Sequence, residues 1–341
     1  MPMARPRHPR LLHRPRLPAL VLLMAASALL GGCATTLSPA TFSTWQIERQ
    51  PDESTVLFRG IPVRTGQIVA SEQGSPQSIF LSLLVADNYP FVHTGILAVE
   101  DGVPMLYEAN GKIQPALGGG PPTRHIGGGL RRVTLESFLT RQRFVAIYDP
   151  PAGADRQRIG RFARESLAAG LPFDSYFDRE DPSKVYCSEF TALALAAGGV
   201  SARRPSLVNP NESVGIVLDW LEITTPDIIP AGAIIADGSR VALFSRLHTP
   251  AQIAAYFDVK AELHRRFTPD QKLGNILRFS TLGGLKFQPE VQSFMRAVND
   301  AAAGWDQLSP TAMEQRVRAL AAERLGPFDP ALALANAPDP R

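Results

Sequence analysis

The pattern of apolar and polar positions from about residue 56 onward is that of a mixed α and β protein. Short runs of branched and aromatic residues indicate strands, and runs with apolar positions three and four residues apart indicate helices. Two apolar runs, 91–99 and 104–109, flank Asp101-Gly102, which is a strong hairpin signal. The other predicted strands are 56–58, 67–70 and 144–148, and the predicted helices of this part are 77–85 and 154–169.

A change of pattern near residue 245 predicts a second region. Thr249, Thr268 and Ser309 each precede a proline and a helical pattern, as expected of a helix N-cap with proline in the first turn. The stretch 117–129 is dense in glycine and proline and is predicted to be a loop. We therefore expect an α+β fold with C-terminal helices near 250–266, 269–279, 289–303 and 310–324.

The N-terminus has the features of a secreted, lipid-anchored protein. Residues 1–32 combine arginines without any acid and an apolar run at 17–30, shorter than the ~20 residues of a membrane span. Leu30-Gly31-Gly32-Cys33 is similar to a bacterial lipobox, in which the cysteine is acylated. The alternative is an uncleaved anchor with a chance cysteine. Ala34 after the cysteine resembles the sorting pattern of the outer membrane, so we expect the protein to face the periplasm.

The remaining organisation follows from these patterns. We predict a lipidated tether at 33–55, a mixed domain at 56–245, a helical extension at 246–329 and a disordered tail at 330–341. The formal net charge of +3 includes five arginines in the signal segment, which leaves 30 basic residues against 32 acidic ones. This slightly acidic balance predicts no nucleic-acid partner.

Cys187 is the single thiol that follows Cys33, so it is not part of an internal disulfide. It lies where a helix is predicted to begin, because Phe190, Leu193 and Ala197 form an apolar stripe behind it. The first turn of a helix offers unpaired N–H groups and the positive end of the helix dipole, which favour a thiolate. Cys187 is therefore a candidate nucleophile, and the alternative is a buried structural cysteine.

A cysteine nucleophile needs a base, and the candidate is His93. This histidine interrupts an apolar strand, where a polar side chain requires a partner. A single hydrogen bond within the core is the alternative explanation. His125, in the glycine-rich loop, is a candidate substrate contact. His248 and His264 belong to the helical extension and are expected at the surface.

The predicted hairpin places an acid beside this histidine. A two-residue turn at Asp101-Gly102 sets Gly95 opposite Glu108, so Glu108 is the diagonal neighbour of His93 on the same face. Diagonal partners lie about 7–8 Å apart, within reach of long side chains. A glutamate there can orient the imidazole and stabilise its charged form. A register slip of one residue would turn Glu108 to the other face.

Several pieces of the sequence also resemble a known family. They are, in order, RTGQIV at 64–69, FVHTGI at 91–96, YEA at 107–109, PFD at 172–174, FD at 177–178 and YCSEF at 186–190. They look like the YiiX/YebB-like cysteine hydrolases, a circularly permuted branch of the NlpC-type papain fold in which the histidine precedes the cysteine. The resemblance covers roughly residues 56–230 and departs from the family at Gln67, where related sequences usually carry aspartate.

This resemblance implies an antiparallel sheet packed on the nucleophile helix. It also implies Cys187 as nucleophile, His93 as base and Glu108 as third residue of the triad. Tyr186, just before the nucleophile, is a candidate for the substrate-binding cleft wall, and packing under the helix is its alternative role. Such a site needs no metal or cofactor, and no Cys/His cluster with ligand spacing is present in the sequence.

The predicted chemistry is acyl transfer through an acyl-enzyme, and three hypotheses about the substrate follow. The first is an amidase or peptidase acting on cell-wall peptides, because the envelope anchor places the protein beside peptidoglycan. The second is a lipid esterase, thioesterase or acyltransferase, since the permuted branch also resembles lecithin:retinol acyltransferase. Phe91, Phe173, Tyr176 and Phe177 are candidates for an apolar cleft in that case. The third is a non-catalytic envelope lipoprotein that acts as a binding module.

Overall fold

The computed structural model describes residues 54–113, 126–201, 206–270, 272–280 and 284–328. Several predicted features lie outside these ranges: the signal peptide, Cys33, almost all of the tether, His125 and the tail at 330–341. Across the described ranges, no helix combines the length and the apolar character that a membrane span requires.

The strands build an antiparallel sheet at the centre of the molecule. In chain order, the strands of the described part are β1 Thr55–Phe58, β2 Ile61–Arg64, β3 Ile68–Glu72, β4 His93–Glu100, β5 Val103–Ile113, β6 Ile126–Thr134, β7 Phe144–Asp149, β8 Ser206–Leu207, β9 Asp227–Ile228, β10 Ser239–Phe244, β11 Leu277–Ser280 and β12 Gly284–Phe287. Six of them form one sheet in the order β10-β7-β3-β4-β5-β6, and every neighbouring pair is antiparallel. The expected α+β class is therefore confirmed.

Helices cover the sheet and build the C-terminal part. In chain order, those described are α1 Pro76–Leu83, α2 Leu135–Leu139, α3 Arg156–Ala168, α4 Cys187–Ala197, α5 Glu212–Trp220, α6 Ala231–Ile234, α7 Pro250–Asp270, α8 Leu273–Ile276, α9 Pro289–Ala302 and α10 Pro310–Leu325.

The predicted hairpin register is confirmed. Asp101 and Gly102 have φ values of 50° and 78°, as a two-residue type I′ turn requires at both positions. Glu100 pairs with Val103, and the pairing continues regularly along β4 and β5. Side chains therefore alternate between the two faces of the sheet as the sequence pattern predicts.

The two faces of the sheet carry separate parts of the core. On one face, Ile96 and Tyr107 pack with Phe190 and Ala194 of α4. On the other face, Leu97 joins a cluster with the β1–β2 hairpin and α2. The helix that begins at Cys187 thus lies directly on the central strands, and its position is fixed by buried apolar contacts.

The predicted loop at 117–129 is wrong at its C-terminal end, because β6 already begins at Ile126. Glycine is required in this strand because another part of the backbone packs closely against it. A Cβ atom at Gly129 would lie 2.6 Å from the carbonyl oxygen of Leu171, so only glycine allows the segment after α3 to approach the strand. The main chain uses that approach, since Leu130 N donates to Leu171 O at 3.1 Å.

The predicted helix at 269–279 is also wrong. Helix α7 continues to Asp270, and only the short α8 precedes the two-stranded β11–β12 hairpin. The sequence Leu277-Arg278-Phe279-Ser280 alternates apolar and polar residues, and this period of two belongs to a strand. The prediction took Thr268-Pro269 as the start of a new helix, whereas Pro269 lies in the last turn of α7.

The helical extension shares a core with the mixed domain. Ile79 of α1 and Val214 of α5 pack in one buried cluster with Val259 of α7, Phe294 of α9 and Val317 of α10. The extension is therefore packed onto the rest of the chain through a continuous apolar interface.

The expected surface position of His264 is wrong. Its side chain is 5% exposed, and Nε2 lies 3.0 Å from Val85 O. Helix α7 turns this face toward the mixed domain and not toward solvent. His248 is half-buried, and its Nε2 accepts a hydrogen bond from Nη2 of Arg143 at 2.7 Å.

Candidate active site

Cys187 is the first residue of α4. The preceding Tyr186 has extended backbone angles and acts as the N-cap, so the chain turns into the helix at the thiol. The N–H groups of the first turn have no acceptor within a helix, and they surround the cysteine with positive partial charge. The thiol is partly exposed, and Sγ lies 4.0 Å from Val92 O.

His93 is the first residue of β4, at the sheet end where α4 begins. Its imidazole contacts Oε2 of Glu108 through Nε2, and it lines the same cleft as Cys187. Thr94 Oγ1 donates to Cys187 O at 3.4 Å and links the strand to the helix start. The structure thus brings together the three residues expected to form a triad.

Glu108 lies on β5, and its side chain is 1% exposed. Gly95 provides the room between it and the imidazole, since a Cβ atom at Gly95 would lie 3.2 Å from Glu108 Cβ and 2.5 Å from Tyr107 O. The carboxylate has a second partner that the sequence did not reveal. Arg131 donates from Nε to Glu108 Oε1 at 2.8 Å, and its Nη2 lies 2.6 Å from the same oxygen.

Arg131 was missed because β6 was not predicted. It lies directly opposite Glu108 in the β5–β6 pairing, so the paired strands bring the two charges together. A buried carboxylate requires such partners to remain charged. Arg131 therefore helps to keep Glu108 ionised while its other oxygen contacts His93.

The electrostatics of the site favour an ion pair between sulfur and imidazole. Burial alone would raise the pKa of the Cys187 thiol, but the His93 charge and its hydrogen bond outweigh burial and lower it. Burial alone would lower the pKa of His93, but the charges of Cys187 and Glu108 reverse this effect and raise it. Glu108 keeps a lowered pKa because His93 and Arg131 outweigh its burial. These shifts favour a thiolate beside an imidazolium over the neutral pair.

A second acid lies beneath the helix start. Glu189 is 5% exposed, and its Oε2 accepts a hydrogen bond from Tyr186 N at 3.3 Å. Burial, with a smaller contribution from Asp174, raises the pKa of Glu189 to about 7. This side chain fixes the turn into α4 from the inside, and it does not contact the cleft.

The residues Cys187, His93 and Glu108 line a cleft of ≈ 370 Å³, within the size range of small-molecule sites. Apolar and aromatic side chains form most of its walls. They come from α1 and the segment after it, from the loop before α4 and from the segment before α6, and include Leu84, Val85, Tyr89, Phe91, Phe177 and Ile229. Two polar residues, Asn110 of β5 and Arg131 of β6, line the cleft together with the candidate triad.

The other predicted cleft residues have different outcomes. Tyr186 contributes to the cleft wall and is also packed under the helix, with its hydroxyl accepting a hydrogen bond from Ile229 N at 3.1 Å. Of the predicted aromatic residues, Phe91, Phe173 and Phe177 line the cleft. Within the described ranges, no cluster of three or more His, Cys, Asp or Glu side chains is arranged to hold a metal ion.

Comparison with known proteins adds little to this geometry. No protein-family profile matches the chain, and no curated protein matches it. Among solved structures, the metalloprotein YiiX from Escherichia coli O157:H7 is similar with a TM-score of 0.42 and 17% identity, over 53% of this chain and 98% of that chain. A likeness of this degree carries no argument, so membership of the YiiX/YebB-like hydrolases and of the permuted papain fold stays a prediction.

Proposed function

We propose that this protein is a cysteine hydrolase that works through an acyl-enzyme. The observation that carries the proposal is the continuous array of Cys187, His93 and Glu108 at the end of a cleft. A thiolate beside an imidazolium, with a buried carboxylate behind the imidazole, is the arrangement that nucleophilic catalysis by cysteine needs. The third hypothesis from the sequence, a binding module without activity, offers no reason for this array.

The reaction proceeds in two steps. The Cys187 sulfur forms a bond to the substrate carbonyl carbon, the bond from that carbon to the leaving group breaks, and the His93 imidazolium gives its proton to the leaving group. Water then attacks the thioester of the acyl-enzyme and gives a proton to His93. The bond to the Cys187 sulfur breaks, the carboxylic acid departs and the thiolate is restored. The N–H groups at the start of α4 stabilise the oxyanion in both steps.

The walls of the cleft favour an apolar acyl group. Phe91, Phe177 and Ile229 offer surface to a hydrocarbon chain and few hydrogen bonds to a peptide. We therefore propose an ester or thioester of an apolar acyl chain as the substrate, which is the second of the three hypotheses. The first hypothesis, an amide bond of a cell-wall peptide, uses the same nucleophile and is separated from it by the test below.

The place of the reaction follows from the predicted anchor. We propose that a lipid on Cys33 holds the catalytic domain at the periplasmic face of the outer membrane, where both substrate classes occur. Incorporation of labelled palmitate that is lost in Cys33→Ser supports this location, whereas a mature protein that carries no lipid contradicts it.

The test of substrate class compares two sets of compounds. Butanoyl, octanoyl and dodecanoyl nitrophenyl esters and purified peptidoglycan fragments are incubated with the protein and with Cys187→Ala, and Cys33→Ser serves as the matched cysteine control. We expect ester turnover that increases with chain length, an acyl adduct on Cys187 in the intact mass, and neither in Cys187→Ala. Turnover of the fragments alone refutes the acyl-chain substrate, and turnover of neither set favours the binding module.

A further inference from the structure

Three polar side chains of α7 are buried on one face of the helix. Tyr256, Lys260 and His264 are spaced four residues apart and are 6%, 1% and 5% exposed. Residues at this spacing share a helix face. A buried lysine is rare and needs partners, so this face has a specific counterpart in the mixed domain.

The counterpart includes the end of β3. Glu72 is fully buried, and Lys260 Nζ lies 2.5 Å from its Oε2. Tyr256 donates its hydroxyl to Oε1 at 3.1 Å, and Gly74 N donates to the same oxygen at 2.7 Å. The carboxylate is thus satisfied from two sides, by α7 and by its own turn.

The same face also holds the segment 85–92 at two of its carbonyl groups. Lys260 Nζ donates to Pro90 O at 2.8 Å, and the His264 ring contacts Val85 O at 3.0 Å. Next to Pro90, the ring of Phe91 packs edge-on against Phe257 of α7, with centroids 5.2 Å apart. Helix α7 therefore fixes the segment by its backbone at two carbonyl groups and by one aromatic contact.

This segment leads directly into the candidate active site. Its last residue, Val92, donates its N–H to Ser71 O at 3.3 Å, and its carbonyl oxygen faces Cys187 Sγ at 4.0 Å. The next residue is His93, which pairs with Ser71 across β3 and β4. Phe91 also lines the cleft. A shift of the segment thus moves the imidazole and a wall of the cleft together.

Stability alone is a poor reason for this ion pair. Replacing a buried pair by apolar residues of similar volume is often neutral or stabilising, whereas a pair with hydrogen bonds can fix one geometry among several. Lys260 makes a directional bond to the backbone two residues before Val92, and an apolar side chain in its place makes none.

We propose that Lys260, with His264, is a positioning residue of the active site, through which α7 holds the segment 85–92 and so sets His93 against Cys187. This inference rests on the proposed function and gives the helical extension a role in it. No described residue of the extension lines the cleft, so we assign its influence on the site to the segment 85–92.

The main variant removes the pair without leaving a buried charge. In Lys260→Met with Glu72→Gln, the glutamine still accepts from Gly74 N, and the bond to Pro90 O is lost. Val259→Ala is the matched control, because Val259 is buried on α7 in the cluster with Phe294 and Val317, which includes no residue of the segment 85–92. Folding of each variant is compared by its melting temperature.

The readouts are the rate of Cys187 alkylation by iodoacetamide as a function of pH and the kcat/KM for the preferred ester. We expect the double variant to lose on the order of tenfold in both near neutral pH, since small misplacements of catalytic groups reduce rates strongly. Its alkylation should require a higher pH than in the unmodified protein. Val259→Ala should keep the pH profile even where its melting temperature falls.

A second variant covers the case in which the double variant does not fold. His264→Gln changes no charge pair, loosens the other end of the segment and should shift the alkylation profile in the same direction. Unchanged profiles in the folded variants would overturn the positioning role. If Cys187 of the unmodified protein is not alkylated at pH values below the ordinary thiol pKa, the proposed function fails instead. The two failures are therefore distinguishable.

Discussion

At the scale of single residues, Glu108 decides whether the candidate triad is charged as required. It lies between a histidine and an arginine, with Oε2 toward His93 and Oε1 toward Arg131. A carboxylate with only one of these partners would be buried with incomplete compensation. Arg131 thus influences the imidazole indirectly, through the carboxylate that both groups contact.

A glutamine at position 108 tests this dependence. Glu108→Gln keeps the shape but removes the charge that stabilises the imidazolium, so we expect kcat to fall by roughly a hundredfold. The matched control is Glu100→Gln, because Glu100 lies on the same hairpin, bonds to Tyr107 and Arg132, and is remote from the cleft. Steady-state ester hydrolysis measures both. Equal losses in the two variants would contradict a specific role of Glu108.

The residues of the candidate triad could be proposed from the sequence because each stands in a recognisable local pattern. Cys187 is marked by the helix that follows it, His93 by its apolar strand, and Glu108 by the two-residue turn that fixes the register. Arg131 could not be found in this way. Its role depends on β6, and the glycines at the start of this strand give its sequence the composition of a loop.

At the scale of elements, glycine has two different structural roles around the site, one in a turn and one within strands. Asp101-Gly102 forms the turn that a local sequence signal predicts. Gly95 and Gly129 are instead strand residues, each required by a backbone that passes close by. Such proximity is a long-range property, so composition predicts the turn and misses the strand.

Gly95→Ala tests the close approach beside the triad. The added Cβ would lie 2.5 Å from Tyr107 O, so the two strands must separate and carry Glu108 away from His93. We expect a loss of about 1–3 kcal/mol in the free energy of unfolding, together with lower activity. Gly215→Ala in α5 is the control, since a Cβ there meets nothing within 4 Å. Urea denaturation measures both, and a neutral Gly95→Ala would contradict the observed packing.

At the scale of the whole molecule, the boundary predicted near residue 245 separates two patterns of sequence but not two cores. The α7, α9 and α10 helices bury their apolar faces against α1 and α5 of the mixed domain. The sequence predicted helices in this extension correctly at three places, and it could not predict what they pack against. The pairing of Lys260 with Glu72 joins residues 188 positions apart, a separation that no local pattern encodes.

This shared core has a consequence for unfolding. If α7 and the mixed domain depend on the same buried cluster, we expect one cooperative thermal transition for the folded chain, seen alike by circular dichroism and by tryptophan fluorescence. Phe294→Ala, in α9, should lower the midpoint of that single transition, because it opens a cavity in the cluster. Two separate transitions, with only one displaced by Phe294→Ala, would contradict the shared core.

The central claim is that His93 holds Cys187 as a thiolate, and the pH dependence of Cys187 alkylation measures this most directly. The rate of carboxamidomethylation is followed by mass spectrometry in the unmodified protein and in His93→Ala. We expect the rate in the unmodified protein to rise at a pH well below the ordinary thiol pKa of about 8.5. In His93→Ala the rise should move upward, because the burial that raises the thiol pKa remains while the opposing cation is lost. Coincident profiles at or above the ordinary thiol range in both proteins would contradict the claim.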